Sequence, residues 1–239
     1  HGQWEKYLLT GIKALGEAYL MTGEQIYAHK AAVLLDRIAD FFPDYNFLKQ
    51  GFNYEKHQIN GYITYCIDSA YDVRYMAECY DKIFPGIEGD SELVAFLREK
   101  AGKYSYAENP KLSEEYIKAN IENRILAESI QRRNESKIFT NFPNVDITKY
   151  IVYTVLDREE YTEKAAAALK TICSKTNLVD GLTGEKGLNA YAYYAIAQYA
   201  QFLYKIRSIE GCSLAELLQE YPDIEKGFRF YVDTWCNDR

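Results

Sequence analysis

The chain has 239 residues, of which 48% are hydrophobic and 26% charged, and a formal net charge of −7. That composition supports a buried core and excludes disordered and collagen-like classes. The acidity argues against a nucleic-acid or anionic-membrane partner, since both need a cationic face.

The elements follow in chain order. Trp4, Leu8, Ile12, Leu15 and Tyr19 lie on one helical stripe. Thr22-Gly23-Glu24-Gln25 restarts the chain, with Thr22 as cap and Gln25 completing a capping box. Ile26, Val33, Leu34, Ile38, Phe41 and Phe42 form the second stripe, which Pro43 ends. The two make an αα-hairpin. Residues 44–60 are polar and irregular. Further helices are predicted over Gly61–Phe84, Ser91–Tyr104 and Ser113–Arg133, then 145–157, 160–175 and Leu188–Ile206, with two more flanking Pro222. Every proline is expected between helices, and nothing alternates with period two. The reading is all-α: about ten helices in sequential hairpins, one domain over 1–239, and no β domain in this chain. Its helix–turn–helix cadence suits a solenoid or an α/α toroid.

No apolar run reaches the about 20 residues that span a bilayer. The chain begins His1-Gly2-Gln3-Trp4, without Met or signal peptide, and reads as a trimmed piece of a longer protein. The five cysteines (Cys66, Cys79, Cys173, Cys212, Cys236) show no CxxC or metal-ligand spacing and read as buried thiols. No metal or cofactor is expected. The 23 tyrosines can line a wet groove and stack on flat ligands such as sugars, or pack a helical core with their hydroxyls at its rim.

Motifs for a nucleophile elbow, a zinc protease, a P-loop and a dinucleotide fold are absent. His29 reads as a packing or surface residue. His57, in the polar stretch Asn53–Asn60, reads as a loop-borne site residue or a solvated one. In Lys137-Ile138-Phe139-Thr140-Asn141-Phe142-Pro143-Asn144, an amide can bind a carboxylate without adding charge, or Asn141 or Asn144 can cap the next helix. In Asp180-Gly181-Leu182-Thr183-Gly184-Glu185-Lys186-Gly187, glycines let the backbone approach a ligand. Glu185, Asn189 and Tyr191 stand near the following helix start. Tyr191 and Tyr194 share a face, and Tyr193 points elsewhere.

Three stretches in fixed order resemble the helical domain of heparinase II/III-like polysaccharide lyases and the related oligoalginate lyases. The first is Ala18-Tyr19, Thr22-Gly23-Glu24 and Tyr27-Ala28-His29-Lys30-Ala31, running to Leu34-Leu35 and Phe42-Pro43. The second is Gly61-Tyr62-Ile63 with Ala70-Tyr71-Asp72 and Phe84-Pro85. The third is Lys137-Ile138 and Asn141, then Asp180-Gly181, Glu185 and Tyr191.

The resemblance implies an incomplete (α/α) toroid, a C-terminal β-sandwich beyond this chain, a periplasmic or secreted location, and β-elimination on a uronate-containing polysaccharide. It implies Asn141 as the group that neutralises the substrate carboxylate and Tyr191 as acid/base. His57, Glu185, Asn189, Tyr194 and Arg133 would bind substrate. A tyrosine base needs a nearby cation or donor, for which Arg124, Arg132, Arg133 and Lys137 are the candidates. In this chain Phe142 follows Asn141 where the family often has His, and Tyr191 lies six residues after Glu185 where five is usual. Two alternatives stay open: an α/α-toroid glycoside hydrolase of the unsaturated glucuronyl hydrolase type, using Asp68, Asp72, Asp180 or Glu185, and a non-catalytic sugar- or protein-binding module. An inverting hydrolase needs paired carboxyls about 6.5–9.5 Å apart.

Overall fold

The computed structural model describes residues 2–44, 68–104, 109–131, 140–176, 181–183, 191–207, 209 and 213–234. They are mostly helical, with no strand among the described residues. Contacts cluster into two compact units, one of residues 1–140 and 151–159, the other of 141–150 and 160–239. None of the helices among the described residues is long and apolar enough to cross a membrane.

In the first unit, a π-helical segment (Trp4–Leu9) runs into α1 (Thr10–Thr22), followed by α2 (Gln25–Phe41) and a short 3-10 turn at Phe42–Asp44 that carries Pro43. After these come α3 (Ser69–Ile87), α4 (Ser91–Lys103) and α5 (Glu114–Ile121). A second π-helical segment (Glu122–Ala127) prolongs α5 into Glu128–Ile130. Helices α1, α2 and α3 pack against one another, and α2 also meets α4 and α5. Small side chains let the axes close in, with Ala28, Ala31, Ala32, Ala39, Ala70 and Ala77 all fully buried.

The first π-helical segment shifts the expected stripe. A π turn adds a residue, so Leu9 is buried after Trp4, while Leu8 is 37% exposed. Ile12 and Gly16 then continue the inner face. The capping box does not form. Thr22 stays in α1, its Oγ1 donating to the Ala18 carbonyl at 2.8 Å and accepting from the Glu24 amide at 3.1 Å. Gly23 closes α1 with φ +69°, a left-handed conformation that glycine adopts without Cβ strain. Gln25 instead donates to the Gly86 carbonyl and to Asp90.

Pro85 is another correction, because it lies inside α3 and not after it. Two residues before the helix end, it removes one backbone donor without splitting the helix. Asp90 caps α4 through its Oδ1, which accepts from the Leu93 amide at 2.8 Å. The other Asp90 oxygen faces His29 Nδ1 at 2.9 Å. His29 therefore ties α2 to the start of α4, which is a packing role.

The centre of this unit is polar. Lys111 is 2% exposed, and its Nζ donates to Asp36 Oδ1 and Asp40 Oδ1, each at 2.7 Å. Asn120 donates to the same two oxygens at 2.9 and 3.0 Å. Lys111 holds φ +52°, a costly conformation for a non-glycine residue, with its amide donating to Asn109 Oδ1 at 3.1 Å. Arg124 donates to the Ala39 and Asp40 carbonyls at 2.9 and 3.0 Å.

In the second unit, α7 (Glu159–Lys175) from residue 160 on, α8 (Ala192–Ile206), α9 (Leu214–Glu220) and α10 (Asp223–Asp233) supply the core. Helix α6 (Asn144–Leu156) is divided, with residues to Tyr150 in this unit and from Ile151 in the first. Tyr150 meets Phe202 edge-on, and Tyr199 stacks on Phe228. Tyr80 and Tyr199 are buried in the core, while Tyr7, Tyr193 and Tyr204 are exposed. Cys79 and Cys173 are buried free thiols.

Replacing Lys111 with Met leaves two buried carboxylates facing one another. The expected loss is about 3–5 kcal/mol in urea unfolding, against under about 0.5 kcal/mol for Lys100→Met at the exposed rim. Equal losses would contradict the ranking.

Candidate functional site

The turn before α6 presents Asn141. Its carbonyl accepts from the Asn144 amide at 3.0 Å, and the Pro143 carbonyl accepts from Ile147 at 3.0 Å. The backbone, not the Asn141 side chain, thus takes up these first amides of the helix. The Asn141 side chain is half-buried and makes no hydrogen bond among the described residues. Asn144 is fully buried, and neither end of its side-chain amide has a hydrogen-bond partner among the described residues. Within the first turn of α6, burial pushes the Asp146 pKa up, while Lys149 and Lys175 pull it down. Those two lysines are the cations near this turn that sequence reasoning did not single out.

Tyr191 stands immediately before α8 and is 47% exposed. Tyr194, one turn on, is half-buried. Asn141 and Tyr191 belong to the same unit, and among the described residues no hydrogen bond or ring contact joins them. His57, Arg133, Glu185 and Asn189 lie outside the described residues, as do Arg132, Lys137 and Asp180. Arg124 is committed to the α2 carbonyls in the first unit.

Of the glycine loop, residues 181–183 are described, and Asp180 and 184–187 lie outside the described residues. Gly181 has φ +89°, and a Cβ there would lie 2.6 Å from the Lys226 carbonyl oxygen. Its close approach is to α10, the protein's own helix. Thr183 is buried beside it, its hydroxyl 3.3 Å from the Tyr231 hydroxyl. A groove of about 620 Å³ opens between α8 and α10, walled by Tyr193, Phe228 and Tyr231. Tyr193 lines this groove, which does not include Tyr191 or Tyr194.

A carboxyl in the first unit has a distinct environment. Asp72 is 7% exposed, and its Oδ2 accepts from Trp4 Nε1 at 2.9 Å. Burial raises its pKa from 3.8 to about 7; the Trp4 hydrogen bond opposes this, and the charges of Asp68 and Glu5 add to it. Burial, helped by Glu5, also raises Asp68. Among the described residues, no group of three or more His, Cys, Asp or Glu side chains is placed to hold a metal.

The buried Asp36–Lys111–Asp40 cluster was missed, although a signal existed. Asp36 and Asp40 are four apart on the same face of α2 as Ala28, Ala32, Leu35 and Ala39. Acids inside an apolar stripe require a buried cation or a donor. No known protein family, curated protein or solved structure matches this chain.

The raised Asp72 pKa fixes a sign. Between pH 3.8 and about 7 the folded state holds a proton that the unfolded state has released, so stability falls as pH rises through that window. The slope reaches at most about 1.4 kcal/mol per pH unit. Asp72→Asn keeps an acceptor for Trp4 and is expected to flatten that part of the profile in urea unfolding. An unchanged slope would assign the effect elsewhere.

Proposed function

We propose that this chain is the helical domain of a polysaccharide lyase, an incomplete (α/α) toroid that binds a uronate-containing oligosaccharide and cleaves it by β-elimination. The observation that carries the reading is the Asn141 amide, partly exposed and without a hydrogen-bond partner among the described residues, in the same unit as the half-exposed Tyr191 phenol. The ordered motifs of the sequence lead to the same two residues.

The chemistry asks for both groups. The proton beside a carboxylate is very weakly acidic, because its loss places a second negative charge next to the first. Asn141 donates to the substrate carboxylate and offsets that charge as it grows; such a donor is worth about 2.7–4 kcal/mol. Tyr191 exchanges the protons: the C–H bond beside the carboxylate breaks, the C–O bond to the leaving sugar breaks, a C=C bond forms, and the leaving oxygen takes a proton. Lys149 and Lys175 supply positive charge near the Asn141 turn.

A second reading rests on Asp72. A buried carboxyl that stays protonated to about pH 7 suits a general acid, and Asp68 stands one turn before it. That arrangement favours hydrolysis of an unsaturated glucuronyl substrate on the same helical scaffold.

Ultraviolet absorbance separates the two. The full-length protein is mixed with alginate, heparan, chondroitin and hyaluronan, and then with their unsaturated oligosaccharides. A lyase creates the unsaturated uronate chromophore; a hydrolase of this type consumes it. Under the lyase reading, Tyr191→Phe loses at least about 100-fold in rate and Asn141→Ala about 100- to 1,000-fold. Full activity in Tyr191→Phe sinks the elimination mechanism. Loss of chromophore that depends on Asp72 replaces it with the second reading.

A further inference from the structure

The first unit holds a cavity of about 200 Å³ between α2 and α4. It contains none of the residues assigned above to the chemistry. At about 30 Å³ per water it holds roughly seven waters, so it admits one small ring and no polymer.

Its floor is charged but already satisfied. Asp36, Asp40 and Lys111 line it, all deeply buried, and Lys111 bonds both carboxylates. Burial pushes the Asp36 pKa up, and the Lys111 ammonium opposes this. A cationic ligand therefore finds little there to neutralise it.

The rim differs. Arg37 is half-exposed and reaches Asp40 Oδ2 only at 3.5 Å. Lys100 is 37% exposed and reaches the exposed Glu99 at 3.4 Å. Long, exposed pairs of this kind are weak and exchange readily. The guanidinium offers a fork of donors that fits a carboxylate. Phe96 and Tyr104 are half open to solvent beside these cations, with Lys100 over the Phe96 ring at 4.9 Å and Arg37 5.9 Å from the Tyr104 ring. Arg37 also lies over the Phe41 ring at 4.2 Å, which holds its stem at the rim. Two flat walls, two cations in long, exposed ion pairs and a closed floor select a compact anion with a ring.

We propose that this pocket binds a single-ring carboxylate, its acid group on Arg37 and Lys100 and its ring against Phe96 and Tyr104. The site is independent of the elimination reading and stands or falls without it.

The test is ligand-observed NMR on the full chain with four probes: glucuronate and benzoate, and their uncharged counterparts glucose and benzyl alcohol. At least one acid binds at least about tenfold more tightly than its neutral counterpart, and which acid binds tells a sugar ring from an aromatic one. Added salt weakens that binding. The exposed double variant Arg37→Gln/Lys100→Gln loses it, while Lys164→Gln, on α7, keeps it. The proposal is overturned if neither acid binds at about 10 mM, if acids and neutral probes bind alike, or if the double variant binds as well as the parent.

Discussion

Lys111 sits between Asp36 and Asp40, and the packing of α2 against α5 depends on that buried cation. Two carboxylates on the packed face of α2 would repel each other and lack solvation. A lysine from the segment before α5 joins them, and Asn120 from α5 bonds both again. The segment accepts a left-handed backbone at Lys111 to place the ammonium there. Such clusters add less stability than a well-packed apolar core, but they penalise any packing that leaves one charge alone. Register between helices is what the cluster secures.

The same physics acts differently at Asp72. That carboxyl is also buried, yet its partner is the neutral Trp4 indole and its ionic neighbours, Asp68 and Glu5, are acidic. With no cation against it among the described residues, burial drives its pKa up. Asp36, for all its contacts with Lys111, is also raised, because desolvation outweighs the ion pair. Burial sets the direction at both sites, and the partner sets how the charge is tolerated.

Much of the fold was legible because helices announce themselves by period and caps. Asp90 and Ser91 open α4 within a residue of the expected place, and Pro222 separates α9 from α10 as its ring requires. What escaped involves more than one turn of chain. A π turn moves Leu9 inward in place of Leu8, and no periodicity argument contains the inserted residue. Pro85 fits inside α3 because only the last turn loses a donor. Gly181 reads as a ligand-approaching glycine until its neighbour, Lys226, is known. The Lys111 cluster joins positions more than 70 apart, so only its acidic half shows in the local pattern of α2. For the candidate site, residue types and order were visible, whereas exposure and partnership were not.

The two asparagines of the α6 turn carry the strongest contrast. Asn141 and Asn144 are three residues apart and chemically identical, yet one is half-buried at the surface and the other fully enclosed. Both side chains lack hydrogen bonds among the described residues. For Asn141, half open to solvent, water can fill that need at little cost. For Asn144 the cost is about 1–3 kcal/mol per unpaired group, and no solvent offsets it. A turn that used its amides to cap α6 would have paired at least one of them. This one caps through the Asn141 and Pro143 carbonyls and leaves its side-chain amides unspent. That unused donor capacity, beside Lys149 and Lys175, is the physical reason to look for an anionic ligand at this turn before any other part of the second unit.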